Sequence, residues 1–183
     1  MKPYKTESSQ IVWSCPWYRI RQDEIVTPDG QPGVYNVVEH PGAVWIIPIT
    51  DAGEVVLIRT YRYTVDDWCY EIPAGGIKSG QSMEDAARTE LREEIGGRAV
   101  ALSHVAQFYT MNGIGNEEAQ VFLATGVQLI NPPQHESTEV MEIHPTPIME
   151  VLRMAQANEI SDGPSALALL LCAEELKRLA SDK

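Results

Sequence analysis

Three glutamates lie close together in one short stretch and are the side chains best suited to do chemistry. Glu90, Glu93 and Glu94 form the pattern E-x-x-E-E. On a helix, which turns about 100° per residue, Glu90 and Glu94 share one stripe, and Glu93 lies beside them. The same stripe carries small and apolar residues that should face a sheet, namely Met83, Ala86 and Ala87.

Carboxylates crowded at the edge of a buried face repel one another and lose hydration unless a cation lies among them. Magnesium takes oxygen ligands and commonly uses one or two carboxylates together with substrate phosphates. The spacing alone is equally compatible with a solvated acidic stripe that pairs with arginines. Gly75, Gly76 and Gly80, just before the helix, favour the metal site because glycines let the backbone approach a ligand closely.

This stretch resembles the Nudix box, whose pattern is G-x5-E-x7-R-E-U-x-E-E-x-G-U, with U a bulky aliphatic residue. The positions that match at the required spacing are Gly75, Glu90, Leu91, Glu93, Glu94 and Gly96. The positions that depart from it are Gln81 in place of glutamate, Thr89 in place of arginine and Gly97 in place of an aliphatic residue.

Flanking segments are similar to the ADP-ribose pyrophosphatase branch of the Nudix hydrolases. They span residues 38–44, 58–63 and 71–75, and more loosely 136–176. The resemblance implies an α+β fold, a Nudix-type α/β/α sandwich around a mixed sheet, with a small N-terminal antiparallel sheet. It divides the chain into an N-terminal subdomain, residues 1–41, and a Nudix catalytic domain, residues 42–183.

The resemblance also implies a set of metal ligands. Glu90 and Glu94 would bind Mg²⁺, or Mn²⁺, with two or three ions per site, and the Ala74 carbonyl would be a backbone ligand. Glu93 would be a further ligand or a catalytic partner of metal-bound water. The metals would bridge diphosphate oxygens, neutralise charge that develops at phosphorus and help to activate water.

In this branch a glutamate from a loop late in the chain acts as the base or positions the attacking water. The corresponding stretch here is residues 134–139. Glu139 is slightly favoured over Glu136 for this catalytic role. An ordinary polar loop is the alternative interpretation for both residues. The four histidines show no metal-ligand spacing and receive no role.

Several side chains resemble the substrate contacts of the branch. Arg59 and Arg62 would bind phosphate or ribose, since a guanidinium can donate to two oxygens at once. Glu71 would accept a hydrogen bond from base or ribose, or simply pair with Arg62. Trp17 and Tyr35 would stack on the purine. In this branch the N-terminal sheet exchanges with a second subunit, so the resemblance implies a homodimer with a shared pocket.

The implied function is Mg-dependent hydrolysis of a nucleoside diphosphate sugar, with ADP-ribose first, yielding AMP and ribose 5-phosphate. Gln81 and Thr89 replace residues that orient the other carboxylates, so metal affinity should be weaker or catalysis lost. A non-catalytic scaffold that binds nucleotide sugars is therefore an alternative. Asn112 stands where the branch usually has a proline, which keeps another substrate such as GDP-mannose open.

The predicted elements must bring these residues together. Strands are predicted around a turn at residues 27–30 and then at 43–50, 54–63, 68–72, 99–109 and 118–124. Helices are predicted at 82–95, 148–158 and 164–180. Ser82 is the expected N-cap of the first helix, and Gly96 closes it.

Composition excludes several classes of protein. A formal charge of −12 disfavours a protein that binds nucleic acid through its phosphates, which requires clustered Lys and Arg. The three cysteines are an odd number and widely spaced, which suits reduced thiols in the cytoplasm. No signal segment precedes the chain's first strands, and no apolar run is long enough to span a bilayer. We therefore expect a cytoplasmic protein without a membrane partner.

Overall fold

The computed structural model describes residues 2–135 and 139–181. The elements in chain order are β1 (Lys5–Ser14), β2 (Arg19–Val26), β3 (Pro32–Glu39), β4 (Ala43–Thr50), β5 (Glu54–Arg62), β6 (Asp67–Glu71), β7 (Ala74–Gly76), α1 (Met83–Ile95), β8 (Gly97–Arg98), β9 (Ala101–Tyr109), β10 (Glu118–Leu129), β11 (Met141–Pro147), α2 (Ile148–Gln156), α3 (Gly163–Leu171) and α4 (Ala173–Ser181). They form two compact units. The N-terminal unit runs up to Gly42 and includes Tyr109–Glu118, and the larger unit holds the other described residues.

The N-terminal unit is an antiparallel sheet in the order β1-β2-β3. Arg19 and Arg21 on β2 both pair with Glu39 on β3, which fixes the register at one end. The edge strand β1 is exposed along its whole length. The sequence analysis missed this strand because its polar residues show no alternation, and its pairing with β2 is what makes it a strand.

The larger unit contains a mixed sheet whose main order is β11-β5-β4-β10-β8. Strand β10 runs parallel to β4, whereas the neighbouring pairs β11·β5, β4·β5 and β10·β8 are antiparallel. The short strand β7 pairs with β4 and leads toward α1. This arrangement confirms the predicted mixed sheet and the small additional antiparallel sheet.

Alternation along the central strands builds a core on each face of this sheet. On β4, Val44 and Ile46 face the cluster that includes Leu91 and Ile95 of α1. Their neighbours point the other way, into a cluster shared with α2, α3 and α4, and are Trp45, Ile47 and Ile49. Because side chains alternate across a strand, one buried strand supplies both layers. The predicted α/β/α sandwich is confirmed.

Helix α1 begins and ends as the sequence predicts. The Ser82 hydroxyl accepts a hydrogen bond from the backbone N–H of Asp85 at 3.1 Å, which satisfies one of the free N–H groups of the first turn. Gly96 adopts the left-handed conformation, with φ of 63°, and its N–H donates to the Arg92 carbonyl. These caps fix the length of the helix that carries the three glutamates.

Two further predictions of secondary structure are wrong. Strand β11 was missed because Pro145 and Pro147 lack a donor, but proline is tolerated on an edge strand, and β11 lies at the sheet edge. The single C-terminal helix is in fact α3 and α4, separated at Cys172. No glycine or proline marks that break, and Cys172 leaves the helical conformation for the bridge region, with φ of −92° and ψ of 6°.

Gly96→Ala tests the end of α1. An added Cβ would lie 1.8 Å from the Asn131 carbonyl oxygen, in a conformation that L-residues avoid. We expect a loss of about 3 kcal/mol in unfolding free energy, from backbone strain plus overpacking. Gly80→Ala is the matched control, because φ there is 78° but nothing lies within 4 Å. Urea denaturation that shows equal losses for both variants would contradict the packing role of Gly96.

Candidate active site

The Glu94 carboxylate lies inside the protein at the junction of β7 and α1. The residue is only 6% exposed although it sits on a charged helix. The Ala74 N–H donates to its Oε2 at 3.0 Å. It is buried because α1 packs its apolar stripe on the sheet, and Glu94 belongs to that stripe, as the helical spacing predicts.

Glu90 lies one turn earlier and packs directly against Gly75, in the middle of β7. A Cβ added to Gly75 would lie 2.2 Å from the Glu90 carboxyl carbon. Only glycine therefore lets the chain pass this close to the carboxylate. The first residue of the sequence motif is a steric requirement of this contact.

Burial and mutual repulsion shift the protonation of both glutamates. Burial, and then the Glu93 charge, raise the pKa of Glu90 to about 7, with a smaller opposing effect of Lys78. Burial also raises the pKa of Glu94, followed by the charge of Glu90. The Ala74 N–H and the Arg62 charge oppose this second shift only in part. Negative charge is thus under-compensated at this position.

The charge of Glu139 raises the pKa of both Glu90 and Glu94. Its carboxylate is therefore near enough to interact with theirs, which agrees with the slight preference for Glu139 in the sequence analysis. Glu136, the alternative, lies outside the described residues. The role of either glutamate stays a prediction.

These residues fit a hard divalent cation in part. Two poorly compensated carboxylates supply the oxygen donors that Mg²⁺ prefers. Glu93 instead pairs with Arg92 at 3.1 Å on the outer side of the helix. Across residues 2–135 and 139–181, no three His, Cys, Asp or Glu side chains converge closely enough to hold one ion. The structure thus brings Glu90 and Glu94 together. Glu93 is near enough for its charge to act on Glu90, but its carboxylate is paired with Arg92.

The two main departures from the box contact each other. The Gln81 side chain accepts a hydrogen bond from the Lys78 N–H at 3.1 Å and donates to the Thr89 hydroxyl at 3.5 Å. A neutral, weaker contact thus occupies the positions of the box glutamate and arginine. Arg88 pairs with Glu84 on the exposed face of α1, so it does not replace the missing guanidinium.

The segment after β10 is fastened to the last turn of α1. The Gln134 N–H donates to the Glu93 carbonyl at 2.7 Å, and His135 Nε2 donates to the Glu94 carbonyl at 2.8 Å. These bonds satisfy carbonyls that a helix end leaves free. Sequence reasoning missed His135, because a contact to a backbone carbonyl leaves no spacing signal.

The predicted substrate arginines differ in their surroundings. Arg62 donates from Nε and Nη2 to the buried Glu71 carboxylate at 2.7 and 2.5 Å, so Glu71 is paired with Arg62. Arg59 lies with its guanidinium carbon 4.9 Å from the centre of the Trp68 ring. Its ion pair with Glu142 spans 3.4 Å. Arg59 is therefore more loosely held than Arg62.

The predicted stacking residues belong to the N-terminal unit. Trp17 lies between β1 and β2 and is 68% exposed. Tyr35 lies on β3 and donates its hydroxyl to the Gly113 carbonyl at 3.3 Å. Both rings are accessible, and their contact with a purine stays a prediction.

Comparison with known proteins decides the family. Residues 39–166 match the NUDIX domain, and residues 4–38 match the nucleoside diphosphate sugar hydrolase N-terminal domain. The chain belongs to the Nudix family. The first match includes every glutamate discussed above, which confirms the predicted Nudix hydrolase.

Relatives of this Nudix chain include two ADP-ribose pyrophosphatases. The protein from Bacillus subtilis is 28% identical and the match covers 90% of each chain. The protein from Mycobacterium tuberculosis is 31% identical over 91% of this chain and 82% of its own. A solved structure described as an ADP compounds hydrolase superposes with a TM-score of 0.82, covering 97% of this chain and 96% of that chain. At 20% identity, that likeness shows the fold alone.

The described part of this Nudix chain has no helix that combines the length and apolar character needed to cross a bilayer. The cysteines are free thiols, at positions 15, 69 and 172. The predicted cytoplasmic location stays a prediction.

The raised pKa of Glu90 predicts how stability depends on pH without metal. Folded Glu90 holds its proton up to about pH 7, whereas the unfolded side chain releases it near its ordinary pKa of 4.5. Because the folded state then binds more protons, unfolding free energy should fall as pH rises from about 5 to about 8. The expected decrease from Glu90 is on the order of 3 kcal/mol.

Urea denaturation in a chelating buffer measures this decrease. Glu90→Gln should remove much of it and stabilise the metal-free protein at high pH, while losing stabilisation by added Mg²⁺. Glu84→Gln is the control, since Glu84 is exposed and paired with Arg88 on the same helix. A pH dependence that is identical in the Glu90 and Glu84 variants would refute the uncompensated charge at Glu90.

Proposed function

We propose that this chain hydrolyses the diphosphate bond of a nucleoside diphosphate sugar with a divalent metal ion, and that ADP-ribose is its first candidate substrate. The observation that carries the proposal is the pair of inward carboxylates, Glu90 and Glu94, beside Gly75. Buried carboxylates that repel each other destabilise the fold, and such groups with shifted pKa values are typical of functional sites. The two relatives described as ADP-ribose pyrophosphatases support the choice of substrate.

In this proposal Glu90 and Glu94 hold Mg²⁺, or Mn²⁺, two or three ions per site, with the Ala74 carbonyl as a further ligand. When bound, the metal supplies charge neutralisation at the diphosphate and lowers the pKa of water. Glu93 joins the site only if it leaves Arg92, an exposed pairing worth about 1 kcal/mol or less. The residues present would therefore supply two carboxylate ligands, one backbone carbonyl and, conditionally, the Glu93 carboxylate.

The proposed reaction is attack of water on one phosphorus of the diphosphate. The new P–O bond forms as the bridging P–O bond breaks, and the bridging oxygen leaves on the other phosphate. Glu139 takes the proton of the attacking water. With ADP-ribose, the products are AMP and ribose 5-phosphate. His135 and Gln134 act as positioning residues, because they tie the start of the loop that leads to Glu139 to the turn that bears Glu94.

Arg59 and Arg62 serve the substrate differently. Arg59 is held by one long ion pair and a ring contact, so its guanidinium is available to swing onto a phosphate. Arg62 uses Nε and Nη2 on Glu71 and keeps Nη1 for a substrate oxygen. Glu71 thereby acts mainly as the group that orients Arg62.

The N-terminal unit has a separate proposed role. Its edge strand β1 exposes Ile11, Val12 and Trp13 by about half each (46%, 49% and 50%). An exposed edge with apolar side chains is a template for pairing with another chain. We therefore propose a homodimer through this sheet, with Trp17 and Tyr35 as stacking partners of the nucleobase.

A panel of ADP-ribose, GDP-mannose, UDP-glucose and NADH with Mg²⁺ tests the reaction. Wild type should release a nucleoside monophosphate from at least one member, fastest from ADP-ribose. Glu94→Gln should lower kcat/KM at least about 100-fold, since metal charge stabilisation is worth several kcal/mol. Glu84→Gln should retain wild-type rates. Binding of a nucleotide sugar without any turnover would instead indicate a non-catalytic scaffold.

Glu139→Gln and Glu136→Gln distinguish the two candidate bases. If Glu139 takes the proton from water, its amide variant should lower kcat about 100-fold or more with little change in KM, since general-base catalysis is worth 10² to 10⁴. Glu136→Gln should leave kcat nearly unchanged. Steady-state kinetics at saturating Mg²⁺ supplies both constants. The reverse ranking would assign the base to Glu136.

A further inference from the structure

A cavity of about 390 Å³ lies in the larger unit, beside the outer side of α1. Three arginines line it, Arg88 and Arg92 from α1 and Arg98 from β8. Its apolar lining comes from Leu91, Ala99 and Ile130. This volume falls within the range of small-molecule sites, roughly 300–1,000 Å³.

Three arginines line this cavity although the chain as a whole is acidic. The whole sequence has 14 Lys and Arg against 26 Asp and Glu. Arg88 and Arg92 make ion pairs with Glu84 and Glu93, with 44% and 53% of the arginine side chains exposed. Exposed pairs of this kind contribute about 1 kcal/mol or less, so a ligand can exchange with them. For the Arg98 side chain, the described residues provide no hydrogen bond or ion pair.

The neighbouring helix end does not oppose an anion as strongly as a bare C-terminus would. The negative end of a helix comes from unsatisfied carbonyls. Here the Ile130 and Asn131 N–H groups donate to the Gly96 carbonyl, at 3.0 and 3.2 Å. Gln134 and His135 donate hydrogen bonds to the backbone carbonyls of Glu93 and Glu94. The helix end therefore adds little negative charge to the cavity, and Arg98 supplies a positive charge that no described residue pairs.

We propose that this cavity binds a phosphorylated organic anion of nucleoside monophosphate size. Arginine forks match phosphate oxygens, and Arg98 is ready to donate without breaking an existing pair. Leu91, Ala99 and Ile130 accommodate an apolar ring or base. A phosphate that binds Arg92 also competes with Glu93 for that arginine. The ligand would therefore act on one of the three box glutamates by removing its ion-pair partner. This inference does not depend on the proposed hydrolysis.

Isothermal titration with AMP in metal-free buffer tests the site. Adenosine and inorganic phosphate are titrated separately to divide the contributions of base and phosphate. Wild type should bind AMP more tightly than either fragment, and the affinity should fall as salt is raised. Arg98→Ala should weaken AMP binding roughly tenfold, the value of one charge-assisted hydrogen bond. Arg92→Ala should weaken it in the same direction.

Two controls locate the binding. Arg153→Ala removes an exposed, ion-paired arginine from α2 and should leave AMP affinity unchanged. Glu84→Gln should leave AMP binding at least as tight as in wild type, because it removes only the exposed carboxylate that pairs with Arg88. Absence of AMP binding, or equal affinity in wild type and both cavity variants, would overturn the proposal. If inorganic phosphate binds as tightly as AMP, the proposed contact between the apolar lining and the base is wrong.

Discussion

Burial of two carboxylates on the sheet-facing side of α1 is the constraint on which the rest of this structure depends. Packing the helix with Ala86, Ala87, Leu91 and Ile95 on the sheet is favourable, and it carries Glu94 inside with them. A buried carboxylate costs free energy that neutral residues of similar size would not. In the proposed function a divalent cation bound at this site would offset the cost, so the metal-free protein would trade stability for affinity.

The elements around α1 are arranged to keep those carboxylates in place. Gly75 allows strand β7 to pass close to the Glu90 carboxylate, and the Ala74 N–H donates to the Glu94 carboxylate and orients it. From the other side, the segment that follows β10 bonds to carbonyls of the same last turn. Gln134, through its backbone N–H, and His135, through its imidazole, are thus bonded to the end of the helix that carries Glu94.

The departures from the Nudix box change the electrostatics of the site while a contact between the two positions is retained. Gln81 and Thr89 still touch, at 3.5 Å, but neither is charged. An arginine at position 89 would partly compensate the neighbouring carboxylates, since opposite charges lower their pKa. Without it, the charges of Glu90 and Glu94 are less compensated, and the proposed cation would have to compensate more of them. Family membership and this neutral pair are compatible, because the pair supports the loop.

The sequence by itself determined the box spacing, both caps of α1 and the alternating strands that form the central sheet, because these depend on local geometry and periodicity. It also indicated that Glu90 and Glu94 face inward. Tertiary structure alone decided that Glu93 turns to Arg92, that Glu71 pairs with Arg62 and that His135 caps the Glu94 carbonyl. It alone also made strands of β1 and β11. The His135 contact and the pairings of β1 and β11 involve backbone groups common to all residues, so no pattern of residue types could reveal them. The Glu71–Arg62 pair was one of two alternatives that the sequence left open, and only the tertiary structure could choose between them.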